Sequence, residues 1–455
     1  MNSFTFPDGF LWGTATSGHQ IEGNNTASDW WAWEPGKIRG NLTSDRACDA
    51  WNRYEEDYAL MESLGLNAYR MGVEWSRVEP APGRWDDNAF SQYEAMMKSL
   101  SSRGIAICLT LYHWVLPKWV ADAGGWENPA TVDAFARFCE QTAARLGRYP
   151  LLWCTLNEPN VYTMSSYVTG EFPPEKRSLR AARKVMRHLL TAHAAAYSII
   201  GSRAPSASQP RGTHTHSRSP LIGIAHNMTP IAPARPNRLD RMIAGFQNRA
   251  WNTSLIEALA TGSMTGPFGD GRPIEGLAGS CTFIGVNYYF RRTVTFRLNG
   301  IANGFSQDVL PPDAPRTDFG WPIVPEGLYD SLMQASALNV PIYVTENGIA
   351  DARDTMRPRY IVDHLAATRR AIDAGADVRG YFHWTFQDNF EWRDGYTQKF
   401  GLYALDPEDP ELCRAPRPSA RLYASIAQAN GVTEEMLSRI SAASRQAQVA
   451  NRAPQ

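Results

Sequence analysis

No apolar run in the sequence approaches the ~18 residues that a membrane-spanning helix needs. The opening stretch, MNSFTFPDGF, carries neither the basic nor the apolar region of a secretion signal, so the chain reads as cytoplasmic with no membrane partner. Charge of one sign is missing too. With 45 basic against 46 acidic side chains the net charge is −1, which removes the electrostatic footprint of a nucleic-acid binder. Cysteine is sparse: Cys48, Cys108, Cys139, Cys154, Cys281 and Cys413 form no Cys-x-x-Cys pair. Three of the six lie in or beside apolar runs, so buried free thiols are expected rather than disulfides or metal ligands.

What is present is apolar mass and aromatic surface. At 455 residues and 43% hydrophobic, the chain can bury a large core without disulfides or metals. It carries 15 Trp, 18 Tyr and 18 Phe, many beside polar residues. That mixture fits an aromatic-rich core, and it also fits sugars, whose C–H faces stack on rings while their hydroxyls need polar partners.

Eight short apolar runs end in polar or aromatic residues: Phe10–Ser17, Asn67–Trp75, Ile105–Trp114, Leu152–Asn157, Leu221–Asn227, Phe283–Tyr289, Ile342–Glu346 and Gly380–Trp384. Stretches with helical spacing lie between and after them. Trp51, Tyr54, Tyr58, Met61 and Leu64 share one such face, with Gly65 as its stop. The others are Ala89–Ser101, Thr131–Leu146, Ser178–Gly201, Leu239–Ala260, Glu326–Ser336, Arg359–Ala374 and Ser419–Gln428. Eight strands alternating with eight helices predict an α/β fold, a single (β/α)8 TIM barrel with its active site at the C-terminal ends of the strands. A doubly wound sheet competes, but no Gly-x-Gly-x-x-Gly loop follows the first strand. The barrel is expected over residues 1–430, with a C-terminal helix, capped at Thr433, and a frayed tail over 431–455. Arg203–Pro220 reads as a long surface loop, and its His214 and His216, lacking a third ligand, give no metal site. Asn299–Asp318 reads as a second loop, overhanging the strand ends.

Two carboxylates close apolar rows. By strand alternation Leu152, Cys154, Leu156 and Glu158 fall on one inward face, and Pro159 should hold Glu158 extended. Ile342, Val344 and Glu346 share a face in the same way before the Asn347-Gly348 turn. A pair of carboxylates on opposite sides of a barrel mouth suits glycoside hydrolysis, in which one protonates the departing oxygen while the other attacks or activates water.

The motifs FPDGFLWGTATSGHQIEG, RMGVEWSRVEP, LYHWVLPKWV, TLNEPN, FIGVNYY, PEGLYD, VTENGIAD and GYFHWTFQDNFEWRDGY run in family order from residue 6 to about 425. On these the chain resembles a glycoside hydrolase family 1 β-glucosidase. The resemblance implies a retaining exo-β-glycosidase acting on small-molecule β-glucosides, without cofactor or metal. It implies Glu158 as acid/base, its pKa raised by its carboxylate neighbour, and Glu346 as nucleophile. Arg70, Asn157, Asn287 and Tyr289 would support catalysis. Gln20, His113, Trp114, Glu391 and Trp392 would bind the sugar, Trp384 would be its stacking platform after a cis Trp384–Thr385 bond, and Trp321 would face the aglycone. His19, Val115 and Gln387 depart from the usual pattern, the first putting the support of Gln20 in question. A 6-phospho-β-glycosidase would carry Ser in place of Glu391, a non-catalytic sugar-binding module would have lost one glutamate, and a thioglucosidase would lack Glu158.

Overall fold

The computed structural model describes residues 2–203, 220–300, 304–311 and 314–440. Eight parallel strands close on themselves: β1 (Leu11–Ala15), β2 (Ala68–Gly72), β3 (Ala106–Thr110), β4 (Pro150–Asn157), β5 (Leu221–Asn227), β6 (Phe283–Tyr288), β7 (Ile342–Asn347) and β8 (Val378–Trp384). They follow one another in chain order, and β8 pairs with β1 from Gly380↔Leu11 to Trp384↔Ala15 to seal the barrel. All eight expected runs form strands, and the fold is the expected (β/α)8 barrel.

Alternation divides the apolar side chains into two layers. Ala68, Cys108, Leu152, Cys154, Ala225, Phe283, Tyr343 and Phe382 fill the interior, while Tyr69, Leu109, Trp153, Ile222, Ile284, Val286 and Tyr381 pack outward with residues of the helices. The helix Asp87–Ser102 shows how a helix is fixed to that outer layer. Asp86 caps it by accepting from the backbone N–H of Asn88 and Ala89, worth ~1 kcal/mol, and Phe90, Tyr93, Met97 and Leu100 form its buried face. The longest helix, Leu179–Arg203, packs on Ala130–Leu146.

Alternation fails at two strands, and both failures matter. In β4 the register slips between Cys154 and Asn157. Leu156 therefore packs outward with Trp153, instead of sharing the inward face of Leu152 and Cys154. In β7 the register slips between Val344 and Glu346, so Ile342 and Val344 face the helices while Glu346 faces the cavity. A bulge inserts one residue and re-aims everything after it. Both glutamates point inward as expected, but not through an unbroken inward row.

Other expectations are corrected in detail. The single helix expected over Leu239–Ala260 is three pieces, Arg238–Asn248, a π-helical turn Arg249–Thr253, and Ser254–Thr261. The expected loop Asn299–Asp318 contributes the strand Ser306–Asp308, which pairs with Arg292–Phe296 in a small sheet completed by Ile231–Pro233. Five cysteines are buried free thiols, whereas Cys413 is exposed. Residues 434–440 are helical and the Thr433 hydroxyl accepts from Met436 N–H. The strand Gly431–Val432 pairs with Phe4–Thr5. His214, His216 and the tail from 441 onward lie outside the described residues. Among the described residues no helix is long and apolar enough to cross a membrane.

Gly348, just after β7, exposes how tightly the barrel rim is packed: a Cβ there would stand 1.8 Å from the carbonyl oxygen of Trp384. Gly348→Ala is expected to cost at least ~1–3 kcal/mol in urea unfolding. Gly245→Ala, in a helix with nothing within 4 Å of the added carbon, should instead stabilise by ~0.5–1 kcal/mol. Equal midpoints for the two variants would contradict this packing.

Candidate active site

The candidate side chains arrive at one end of the barrel from several strands and from the segments that follow them. Arg70 projects inward from β2 and Asn287 from β6 by plain alternation, since Ala68 and Phe283 are interior residues of the same strands. Glu158 follows β4 and is the N-cap of the helix Pro159–Tyr167, with φ 45° and ψ 60°. It is therefore left-handed, not extended. Pro159 bars the right-handed helical region to the residue before it, and the turn from strand to helix is too sharp for an extended residue. The backbone N–H groups of Asn157 and Glu158, donating to Tyr112 O (2.8 Å) and Ala225 O (2.7 Å), pin the turn to the segment after β3 and to β5.

The network between the two glutamates is continuous. Arg70 Nη1 donates to Glu346 Oε1 at 2.5 Å, and Nη2 donates to Asn157 Oδ1 at 2.6 Å. Asn287 Nδ2 donates to Asn157 Oδ1 at 3.1 Å and to Glu158 Oε1 at 2.8 Å. The Tyr289 hydroxyl donates to Glu346 Oε2 at 2.6 Å. Asn157 Nδ2 donates to His113 Nε2 at 2.9 Å, which makes that nitrogen an acceptor, and burial holds the imidazole neutral. His113 Nδ1, buried, has no partner among the described residues.

A second cluster closes the cavity opposite. Gln20 Nε2 donates to Phe390 O (2.8 Å) and Glu391 Oε2 (3.2 Å), and Ser17 donates to Gln20 Oε1 at 2.8 Å. His19 does not take part in this. It bonds Glu34 at 2.7 Å and stacks on Trp392 at 6.0 Å, so its departure from the usual pattern leaves Gln20 held by other groups. Val115 is simply core, and Gln387 is buried beside Asp57. The Trp384–Thr385 bond is cis, as the resemblance implied, and the Trp384 ring stacks against His113 at 6.1 Å.

These groups surround a cavity of about 710 Å³. Glu158, Glu346, Glu391, His113, Trp114, Tyr289, Trp321, Trp384 and Trp392 all line it. Arg70, Asn157 and Asn287 stand behind that wall, as does Gln20, placed by its bond to Glu391. Towards the mouth are Phe172, Phe290 and Phe319, the last two stacked on Trp321 at 5.0 and 4.3 Å. Asn227, Thr229 and Trp251 also line the cavity and were missed by the sequence reading. Asn227 closes an apolar run just as Asn157 does, and that signal could have found it; Trp251 had none, because a π-helical turn presents it. Among the described residues no group of three or more His, Cys, Asp or Glu could hold a metal ion.

The two glutamates sit in different fields. Burial first, and the charge of Glu346 second, push Glu158 up to about 8 against the amide donors Asn287 and Asn227. Desolvation thus outweighs the carboxylate neighbour to which the raised pKa was ascribed. Glu346 is also raised by burial, but Arg70 and Tyr289 pull the other way. A guanidinium and a phenol favour an anion more strongly than two neutral amides do, so the proton belongs on Glu158. Burial, followed by Asp394 and Glu346, lifts Glu391 to about 8 as well.

The sequence profile of glycosyl hydrolase family 1 matches residues 2–432. The chain is 33% identical to the β-galactosidase of Pyrococcus woesei, over 95% of this chain and 98% of that protein. It is 31% identical to β-glucosidase A of Thermotoga maritima, over 95% of this chain and all of the other. Its fold matches the solved structure of a β-glycosidase from Pyrococcus horikoshii with a TM-score of 0.87 and 36% identity, covering 96% and 98% of the two chains. It also matches the Thermotoga maritima β-glucosidase in complex with glucoimidazole, with a TM-score of 0.86 and 30% identity, covering 94% and 99%.

Removing the Arg70 cation should leave a buried carboxyl uncompensated. Arg70→Met is expected to destabilise the protein by ~3–5 kcal/mol at neutral pH. The deficit should shrink as the pH falls, because a protonated Glu346 needs no counter-charge. Urea unfolding at pH 7 and pH 5 measures both; a deficit that is the same at each pH would mean that Arg70 does not balance Glu346.

Proposed function

The chain belongs to glycosyl hydrolase family 1, and from that membership we propose that it is a retaining exo-β-glucosidase that releases terminal β-D-glucosyl residues by double displacement. The observation that carries the reading is the pair of carboxyls in one cavity with opposite surroundings: Glu346 between Arg70 and Tyr289, Glu158 beneath two amides. Glu346, as the anion, attacks the anomeric carbon while protonated Glu158 gives its proton to the glycosidic oxygen, and the aglycone leaves as an alcohol. The glycosyl ester that results has no charge on Glu346, so Glu158 loses the repulsion that helped to keep it protonated. Glu158 then takes a proton from water, the hydroxide equivalent attacks the same carbon, and Glu346 departs as carboxylate with the β-configuration restored. Direct attack needs a carboxyl separation of ~5–5.5 Å.

Supporting roles follow from placement. Asn157, held by Arg70 behind the cavity wall, donates to His113 and so sets the imidazole that lines the cavity. His113 Nδ1, without a partner among the described residues, is a donor for a sugar hydroxyl. Trp384 and Trp392 offer ring faces, Glu391 accepts from hydroxyls at the far end with Gln20 behind it, and Trp114 adds to that wall. Trp321, with Phe290 and Phe319, makes an aromatic wall for the aglycone.

The nucleophile and acid are separable by experiment. Glu346→Ala should abolish turnover of β-glucosides, with azide restoring part of it as an inverted product. Glu158→Ala should spare dinitrophenyl glucosides far more than alkyl glucosides, since a good leaving group needs little protonation. In the wild type, kcat/KM for alkyl glucosides should fall as the pH rises through about 8, where Glu158 loses its proton. Equal losses on both substrate types in Glu158→Ala would defeat the acid assignment.

Sugar choice rests on Glu391. It can accept from either a 4- or a 6-hydroxyl, so β-galactosides should be turned over, more slowly than β-glucosides. A 6-phosphate would bring a dianion into a cavity that already holds three carboxyls, each raised in pKa by loss of solvation. Glucoside 6-phosphates should therefore be poor substrates, and Glu391→Ser should weaken the plain glucoside while narrowing the gap. A wild-type preference for the phosphate, read as kcat/KM, would replace this function with a phospho-glycosidase.

A further inference from the structure

Glu158 has two carboxyl oxygens in unequal surroundings. Oε1 accepts from Asn287 Nδ2 at 2.8 Å and from Asn227 Nδ2 at 3.0 Å. Oε2 has no hydrogen-bond partner among the described residues, and Glu158 is on the cavity wall. An amide can turn about its last bond and present oxygen in place of nitrogen, so these contacts hold only if something fixes the amides. Two groups that can only donate do so. The Trp251 indole N–H donates to Asn227 Oδ1 at 3.3 Å, which turns the Asn227 nitrogen towards Glu158. The Arg70 guanidinium donates to Asn157 Oδ1, which then accepts from Asn287 Nδ2 and turns that nitrogen the same way.

We infer that Asn227 is a positioning residue which, oriented by Trp251, keeps Glu158 Oε1 an acceptor and so fixes the catalytic proton on Oε2, the oxygen facing the glycosidic bond. This rests on the acid role proposed above. A carboxylic acid accepts at its carbonyl oxygen and donates from the other, so two donors crowded on Oε1 leave Oε2 as the hydroxyl. The same donors favour the anion once the proton has gone, which suits the second half of the reaction, when Glu158 is the base.

The clamp is built into the fold rather than left to chance. Thr229 Oγ1 also donates to Asn227 Oδ1, at 3.0 Å. Asn252 fixes Thr229 by accepting from its N–H (2.8 Å) and donating to its carbonyl (2.9 Å). Asn252 and Trp251 both belong to the π-helical turn Arg249–Thr253, and such turns recur at functional sites. Trp251, Thr229 and Asn227 line the cavity together with Glu158. An aglycone resting on Trp251 therefore touches the group that orients the acid, which couples the leaving group to the position of the proton.

Asn227→Ala and Trp251→Phe test this, each with an alkyl and a dinitrophenyl β-glucoside across pH. The other ionisable groups facing Glu158, namely Glu346, Arg70, Tyr289 and Glu391, are the same in both variants. Asn227→Ala should lose about tenfold or more in kcat/KM on the alkyl glucoside, the loss of one hydrogen bond to a reacting group. Trp251→Phe should lose less, since Thr229 Oγ1 still holds Asn227 Oδ1, and in both the loss on the dinitrophenyl glucoside should be much smaller. The basic limb should move to higher pH, because a donor that favours the anion has gone in Asn227→Ala and is held less firmly in Trp251→Phe. Equal losses on the two substrates with an unmoved basic limb, in whichever variant folds to the wild-type melting temperature, overturn the inference. A wild-type protein inactive on every β-glycoside would instead overturn the acid role beneath it.

Discussion

Arg70 is wholly buried, and its guanidinium is the charge around which two buried carboxyls and the half-buried Glu391 share one cavity. It reaches Thr110 on β3, Asn157 on β4, and both Glu346 and the Thr345 carbonyl on β7. One side chain thereby ties four strands together at the level where chemistry is done. Placing an ion there without partners would cost several kcal/mol, and the planar fork offsets that cost by meeting its acceptors at once. Lysine could supply the charge but not the geometry. The fork also sets hydrogen-bond polarity for what lies beyond it, through Asn157 to Asn287 and so to Glu158.

The backbone departures gather at the same level. The slips in β4 and β7 are each an extra residue that lets neighbours in sequence face the same way. Thr345 donates to Asn287 and Glu346 lines the cavity, one residue apart, which a regular strand would not permit. Glu158 stands in the left-handed region, at a cost of ~1–2 kcal/mol, held there by the Pro159 ring and by backbone bonds to its neighbours. Below this rim the barrel is a packed interior of Ala, Cys, Leu, Phe and Tyr. That solid floor is what lets the rim be irregular.

Much was readable from residue order alone. The eight apolar runs and eight amphipathic stretches gave the barrel, because a side chain's share of apolar burial is set by local periodicity of two or 3.6. Arg70 and Asn287 obey that periodicity. The motifs around Glu158, Glu346 and Trp384 carried the family, and the family carried the site. Local pattern also misled where it was trusted too far: Leu156, Ile342 and Val344 were placed on the inward face and lie on the outward one.

The sequence by itself determined the class of fold and the two glutamates at strand ends, since each depends on residue type at a fixed local spacing. The tryptophans of the cavity were implied only through the family that the motifs resemble. Tertiary structure alone decided where the bulges fall, because a bulge is a register between two strands and neither strand encodes it singly. It alone decided that burial, more than the neighbouring carboxylate, raises Glu158, because desolvation depends on every chain segment covering the group. It alone brought Trp251 to Asn227, 24 residues earlier in the chain. A donor-only group fixes an amide only when the fold sets the two side by side, and that adjacency exists once the barrel has closed.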